Sequence, residues 1–100
     1  MTKKLAPMHP GEVLREEFLK PFDLSPYAVA KALDLPRTRI ERIAEEKVGI
    51  TADTALHLAR YFGTSPGFWA NLQSDYDLQV AEKKIGKKVL KIEPLKTKAA

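Results

Sequence analysis

The chain has 100 residues, 44% of them apolar and 30% charged, which is the size and composition of one folded domain rather than of a disordered chain. The absence of cysteine excludes disulfides, thiolate metal sites and cysteine nucleophiles, and no apolar run reaches the length of a membrane span or a signal peptide, so we expect a cytoplasmic protein. The net charge of +4 comes from residues 80–100, which hold seven lysines and two glutamates, because the rest of the chain is slightly acidic.

Residues that start and stop helices divide the chain into five predicted helices. Proline is favoured at the first helical position, and serine or threonine is favoured as the capping residue before it. The predicted starts lie at Pro10, Ser25-Pro26, Pro36, Thr51 and Ser65-Pro66. Pro21 ends the first helix, and Gly63 ends the fourth because glycine adopts the left-handed conformation of a helix C-terminus.

Apolar residues recur at helical spacing and indicate which faces are buried. The predicted inward face of the fourth helix consists of Ala55, Leu56, Ala59 and Phe62. The fifth helix begins with Phe68 and Trp69, which we expect to fill the core between the fourth and fifth helices because aromatic residues dominate cores. Exposed anchors of a protein interface are the alternative interpretation of these two residues.

The pattern changes after Lys84, where residues 88–92 are short, β-branched and partly alternating, and Pro94 follows them. This segment is either an edge strand or a disordered tail. We therefore divide the chain into an N-terminal arm (1–8), a helical domain (9–84) and a basic C-terminal tail (85–100).

The spacing of the second and third helices indicates a helix-turn-helix motif, in which the second helix of the motif enters the DNA major groove. Only Asp34 and Leu35 separate the two helices. The small residue Ala30 falls where the helices cross closely, and Asp34 falls at the turn, where aspartate tolerates a positive φ. An ordinary helical hairpin that binds no DNA is the alternative interpretation.

The outward face of the third helix carries side chains that can recognise bases. Arginine can bind O6 and N7 of guanine together, threonine can reach a base edge, and glutamate can accept a hydrogen bond from N4 of cytosine. The candidate DNA-binding residues are Arg37, Thr38, Arg39, Glu41 and Arg42, with Arg39 better placed for a phosphate, and with Ser25 and Lys31 as further phosphate contacts. Because Arg37–Glu41 and Arg42–Glu46 have the i,i+4 spacing of helical ion pairs, a merely solvated face is the alternative.

Together these segments resemble the HigA/VapI-type antitoxins of bacterial type II toxin–antitoxin modules, which are Xre-like helix-turn-helix proteins. The resemblance covers about residues 7–82 and is carried by HPGEVLREEFLKPFDLS at 9–25, by ITADTALHLARYFGTSPGFWANLQSDYDL at 50–78 and by the motif between them. It implies an all-α, five-helix domain of the Xre/lambda-repressor type. It also implies a homodimer that binds double-stranded operator DNA, represses its operon and neutralises a toxin that is an mRNA endonuclease of the RelE superfamily.

Two positions depart from the pattern of that family. The family usually has glycine where this chain has Asp34, and it commonly has Asn-Gly-Lys where this chain has Glu45-Glu46-Lys47. Carboxylates near a phosphate backbone oppose binding, so a protein-interaction module that no longer binds DNA is one alternative function. A stand-alone Xre-like transcriptional regulator without a toxin is another.

Two further surfaces are candidates for protein contacts. The fifth helix has a second apolar stripe, and a small domain that is apolar on two sides of one helix usually covers one side with a partner. The candidate dimer residues are Leu78, Ala81 and Ile85 on this stripe, together with Val89 and Ile92. On the first helix, Glu12 and Glu16 lie outside the apolar face and are the candidate toxin-binding residues.

Nothing in the sequence indicates catalysis, a cofactor or a metal site. His9 precedes a helix and is expected to cap it, and His57 is expected to lie on the outer side of the fourth helix. The two histidines lack the spacing of metal ligands, and no nucleophile can be paired with a base. We therefore expect a binding protein rather than an enzyme.

Overall fold

The order and bounds of the helices follow the capping residues closely. The computed structural model describes residues 7–96. Its elements are α1 (Pro10–Val13), which continues directly into π-helical turns (Leu14–Leu19), α2 (Pro26–Leu33), α3 (Arg37–Ala44), α4 (Ala52–Phe62) and α5 (Pro66–Leu90). If α1 and the π-helical turns are counted as one first helix, the predicted all-α fold of five helices is confirmed. Residues 1–6 and 97–100 lie outside the described range. The division of the chain at residues 8 and 84 stays a prediction.

Side chains cap four helix N-termini, as the sequence predicts. The hydroxyl of Ser25 accepts the amide hydrogen of Ala28 at 3.0 Å, and Thr51 and Ser65 accept equivalent bonds at the starts of α4 and α5. Nδ1 of His9 accepts the amide hydrogen of Gly11 at 2.8 Å, which confirms its predicted capping role. Helix α3 begins one residue later than predicted, because Pro36 is its extended capping residue rather than its first helical residue.

The core lies where the first helix, α3, α4 and the start of α5 meet. Its largest fully buried side chains are Trp69, Leu14, Ile40, Ile43, Leu58 and Val29. The indole of Trp69 is surrounded by other aromatic rings, with ring centroids 5.0 Å away for Phe18, 6.3 Å for Phe62 and 5.0 Å for Phe68. Its Nε1 donates to the hydroxyl of Thr64 at 2.8 Å, so the one polar atom of this large ring is satisfied.

Two of the predicted core positions are wrong. Leu56 is 60% exposed, and Leu58 is fully buried in its place. The inward face of α4 is Thr54, Ala55, Leu58 and Ala59, because these residues share the side of the helix that faces the core. Phe68 is 38% exposed, so it covers the edge of Trp69 rather than filling the core as predicted.

Neither of the two alternatives for residues 88–92, an edge strand or a disordered tail, describes this segment correctly. Helix α5 continues to Leu90, and Lys91 and Ile92 form the turn that follows it. The residues before Val89 are mostly good helix formers, and adding one residue to an existing helix costs little once the helix is nucleated. A single strand would have no second strand to pair with among residues 7–96, whose regular elements are all helical.

The C-terminal part of α5 extends beyond the core. Every residue from Ala81 to Leu90 except Gly86 is exposed, and the described chain measures 53 × 29 × 26 Å. The apolar side chains of this part therefore remain in contact with solvent. None of the helices between residues 7 and 96 has the length and the hydropathy that crossing a membrane requires.

Candidate nucleic-acid interface

The turn between α2 and α3 has the geometry that the sequence predicts. Asp34 adopts the left-handed conformation, with φ 59° and ψ 44°. The amide of Leu35 donates to the carbonyl of Ala30 at 2.9 Å, and the amide of Asp34 donates to the carbonyl of Lys31 at 3.2 Å. Ala30 is buried where α2 packs against α3. This closure fixes α3 at a sharp angle after α2 and exposes one face of α3.

The burial of α3 separates a core side from an outer side. Ile40, Ile43 and Ala44 are buried, which holds the helix firmly on the domain. On the outer side, Arg37, Thr38 and Arg42 are exposed, and Arg39 and Glu41 are partly buried at its borders. The structure thus brings the five predicted residues of α3 onto one polar surface, which we call the α3 face.

Arg37 is held by two neighbours on the α3 face. Its Nε lies 3.2 Å from Oε2 of Glu41, which confirms the predicted i,i+4 ion pair. Its guanidinium carbon lies 5.8 Å from the centre of the Tyr27 ring, within the range of a cation–π contact. The sequence analysis missed Tyr27. An aromatic residue in the first turn of α2, outside the apolar face of that helix, was the available signal.

The second predicted ion pair, between Arg42 and Glu46, does not form. Glu46 lies beyond the end of α3 with φ 64°, and its carboxylate instead binds Nη2 of Arg15 at 3.1 Å. Glu45 is also paired, with Nζ of Lys47 at 3.3 Å. Arg42 is exposed and makes no ion pair with any residue between 7 and 96, so its guanidinium is available to a ligand.

Arg39 bridges α3 and α4. Its Nη1 donates to Oδ2 of Asp53 at 2.6 Å, and Asp53 lies in the first turn of α4. The backbone carbonyl of Asp53 in turn lies 2.7 Å from Nδ1 of His57. The sequence predicts that Arg39 contacts a phosphate. In the structure its guanidinium is paired with the carboxylate of Asp53. Lys31 on α2 and Ser25, the residue that caps the start of α2, are both exposed, as a role in phosphate contact requires.

The two predicted toxin-binding residues differ in their surroundings. Glu12 is partly buried, whereas Glu16 is exposed and forms ion pairs with Arg15 at 3.1 Å and with Lys20 at 3.0 Å. The hydrogen bond from Lys20, followed by the one from Arg15, lowers the pKa of Glu16 below its ordinary value. The pKa of Arg15 is raised in return, chiefly by its hydrogen bond to Glu16.

The predicted dimer residues are all accessible. Leu78 is 67% exposed and Ile85 is 47% exposed, and Ala81, Val89 and Ile92 are exposed as well. Val89 and Ile92 cannot contact a second copy of the chain as parts of an edge strand, because Val89 belongs to α5. No cluster of three or more His, Asp or Glu side chains able to hold a metal occurs between residues 7 and 96.

Comparison with known proteins identifies the family. No protein-family model matches the chain. The virulence-associated protein I of Dichelobacter nodosus is 57% identical over 75 residues, which cover 75% of this chain and 69% of that protein. The antitoxin HigA-1 of Vibrio cholerae is 36% identical over 75 residues, covering 75% and 70% of the two chains. The chain belongs to the HigA family of antitoxins.

A solved structure extends the match to most of this HigA-family chain. The Pseudomonas aeruginosa antitoxin HigA, determined with the higBA promoter, is 50% identical and superposes with a TM-score of 0.86. The match covers 90% of this chain and 99% of the P. aeruginosa chain. The resemblance that the sequence motifs carry is therefore confirmed both in sequence and in three dimensions.

Proposed function

We propose that this chain is an antitoxin that represses its own operon by placing α3 in the major groove of operator DNA, and that neutralises a cognate toxin of the RelE superfamily. The observation that carries the DNA-binding part is the α3 face. Ile40 and Ile43 are buried on the opposite side of α3 and fix the helix to the core. The α3 face presents Arg37, Thr38 and Arg42 to solvent. Such a protein acts in the cytoplasm as a homodimer and needs no catalytic group, cofactor or metal.

The exposed side chains divide into two kinds of DNA contact. Arg37 and Arg42 have the planar guanidinium that fits the O6 and N7 atoms of guanine, so they are the base-reading residues. Lys31 lies on α2 and Ser25 caps its start, and because this helix crosses the DNA backbone in proteins of this type, both residues contact phosphates. Glu45 and Glu46 each have a cation partner within the chain, which reduces their repulsion of phosphate. The ion pairs of Glu45 and Glu46 therefore favour a domain that binds DNA over a protein-interaction module that no longer binds DNA.

Binding to duplexes from the promoter of the chain's own gene tests the DNA contacts. Replacing either Arg37 or Arg42 with alanine should weaken the free energy of promoter binding by about 1–3 kcal/mol and should relax the preference at one base pair. Lys31→Ala should weaken all sequences alike and reduce the slope of affinity against salt by about one charge. Arg60→Ala, which removes an exposed arginine from α4, is the matched control. An unchanged promoter affinity in the Arg37→Ala, Arg42→Ala double variant would exclude the α3 face.

Toxin binding is tested separately, on the first helix. Co-expression with the neighbouring open reading frame should yield a purified complex if that frame encodes the toxin; a chain that purifies alone would favour a stand-alone regulator. Glu12→Lys, Glu16→Lys should abolish protection from the toxin and leave the base preference at the promoter intact, because these carboxylates lie off α3. Glu93→Lys, beyond α5, is the control for a single charge reversal away from the first helix. Full protection by the double variant would place the toxin elsewhere.

A further inference from the structure

Three side chains meet at the N-terminal end of α3. Tyr27 comes from the first turn of α2, Arg37 is the first residue of α3, and Glu41 lies one turn further along α3. The guanidinium carbon of Arg37 lies 5.8 Å from the Tyr27 ring centre, and its Nε lies 3.2 Å from the Glu41 carboxylate. Arg37 is therefore held by a ring from one helix and a carboxylate from another.

The contacts of Arg37 with Tyr27 and Glu41 do not use the two terminal nitrogens with which an arginine recognises a base. The closest approach of Glu41 is to Nε of Arg37, and neither terminal nitrogen of the guanidinium donates a hydrogen bond to a residue between 7 and 96. A bidentate contact to guanine needs two donors in a fixed plane, and the terminal nitrogens supply them. An arginine loses side-chain freedom when it binds, so an arginine already held in one orientation loses less.

Packing of the domain does not account for Tyr27. Its side chain is 52% exposed and belongs neither to the core nor to the side chains packed against it. The charged group that the Tyr27 ring contacts is the guanidinium of Arg37, which lies across the turn of the helix-turn-helix motif.

We propose that Tyr27 and Glu41 are positioning residues, which hold Arg37 in the orientation that recognises its base pair and thereby determine how strictly that base pair is read. This inference rests on the proposed reading of DNA by Arg37. It replaces the prediction that Glu41 itself accepts a hydrogen bond from cytosine, because the Glu41 carboxylate already has a cationic partner.

The test measures base preference rather than affinity alone. Promoter duplexes with each base pair substituted in turn are titrated against the wild type, Arg37→Ala, Tyr27→Leu, Tyr27→Phe and Glu41→Gln proteins. Arg37→Ala identifies the base pair that Arg37 reads. Tyr27→Leu should lower the preference at that base pair about two- to fivefold, which is what an exposed cation–π contact supplies. Tyr27→Phe keeps the ring and should restore the preference, and the slope against salt should stay unchanged in both.

Glu41→Gln separates positioning from direct reading. It removes a negative charge near the phosphates, so affinity for all sequences should rise at low salt while the preference at the Arg37 base pair falls. A preference lost at a different base pair would show that Glu41 reads DNA directly and would overturn its positioning role. In the Arg37→Ala background, Tyr27→Leu should have no further effect on preference, and a further loss there would overturn the proposal for Tyr27.

The outcomes also distinguish this inference from the function on which it rests. If Arg37→Ala leaves every preference unchanged, the reading of DNA by Arg37 fails and the positioning roles fail with it. If Arg37→Ala abolishes a preference that Tyr27→Leu and Glu41→Gln leave intact, only the positioning roles are overturned. Thermal unfolding followed by circular dichroism confirms that each variant is folded.

Discussion

Arg15 and Glu46 join the first helix to the end of α3. The Nη2 of Arg15 lies 3.1 Å from the carboxylate of Glu46, and its Nη1 donates to the carbonyl of Ala44 at 2.6 Å. The Ala44 carbonyl belongs to the last turn of α3, where carbonyl groups have no partner within the helix. Arg15 thus satisfies a carbonyl at the helix C-terminus and pairs with the residue that follows, so it fixes the end of the helix that we expect to read DNA.

Replacing Arg15 with alanine should therefore affect both stability and DNA binding. The loss of a charged hydrogen bond to Ala44 should lower the free energy of unfolding by about 1 kcal/mol, toward the low end for such bonds because Arg15 is partly exposed. Fraying of the end of α3 should also weaken promoter binding. Urea unfolding and promoter titration measure the two effects. Arg60→Ala is the control, and an Arg15→Ala protein with unchanged stability would contradict the role of Arg15.

Replacing Glu45 and Glu46 with the asparagine and glycine common in the family should strengthen promoter binding. Glu46 has φ 64°, a conformation that costs a non-glycine residue about 1 kcal/mol, and glycine removes that cost. The ion pair that is lost with Arg15 contributes about 0–1 kcal/mol, so stability should change little. Removing two negative charges should tighten promoter binding at low salt and less so at high salt.

The salt dependence decides how the Glu45→Asn, Glu46→Gly result is interpreted. Glu93→Gln removes one carboxylate outside the helices and is the control for the loss of a single negative charge. If the double variant binds the promoter no more tightly than the wild type at low salt, the two carboxylates lie away from the duplex and the expectation of repulsion is wrong.

The contact between Gly11 and Ile43 allows the first helix to approach α3 closely. A Cβ atom built on Gly11 would collide with the carbonyl oxygen of Ile43, which is a backbone atom and cannot rotate away. Gly11→Ala should therefore force the two helices apart and lower the free energy of unfolding by about 1–3 kcal/mol, as overpacking of a core does. Because α3 carries the proposed base-reading residues, promoter affinity should fall as well.

Gly67→Ala is the matched control for Gly11→Ala. A Cβ atom on Gly67 would meet only the hydroxyl of Ser65, at 3.9 Å, which is ordinary contact. Since alanine is the better helix former, this substitution in the first turn of α5 should leave stability unchanged or raise it slightly. Equal unfolding midpoints for the two variants in urea would show that the first helix does not need the close approach at Gly11.

The features that the sequence predicts correctly are local ones. A cap at Ser25 or Thr51 and a left-handed turn at Asp34 depend on a few neighbouring residues, and these are visible in the chain. The contacts of Arg15 and Tyr27 join residues 31 and 10 positions apart, so no local pattern reveals them. Arg15 also explains why the Arg42–Glu46 spacing misleads, since a more distant arginine binds the Glu46 carboxylate.

The remaining wrong predictions come from sequence patterns that are compatible with two different structures. Leu56 and Leu58 are two positions apart on α4, and each lies between an alanine and His57, so the sequence around them does not decide which of them faces the core. The β-branched and apolar residues after Lys88 are compatible with a strand in isolation. They are helical at Val89 and Leu90 because α5 already runs into them.

The exposed stripe of α5 should hold two copies of the chain together. Helix-turn-helix proteins read half-sites roughly 34–36 Å apart, so a second copy must be fixed at a defined distance. Leu78, Ala81 and Ile85 form an exposed apolar surface on the part of α5 that extends from the core, and a two-fold contact would bury each stripe against its own copy. Leu78→Glu, Ile85→Glu should therefore yield a folded monomer that has lost cooperative promoter binding.

Analytical ultracentrifugation and promoter titration check this outcome against a variant of equal charge. Gln79→Glu, Lys83→Gln also makes the net charge more negative by two, but it alters exposed residues on a different side of α5, so it should remain dimeric. Helical content by circular dichroism should be unchanged in both variants, because all four side chains are exposed in the single chain. A Leu78→Glu, Ile85→Glu protein that still sediments as a dimer would place the interface on another surface of the domain. The half-site spacing would then have to be set without the stripe on α5.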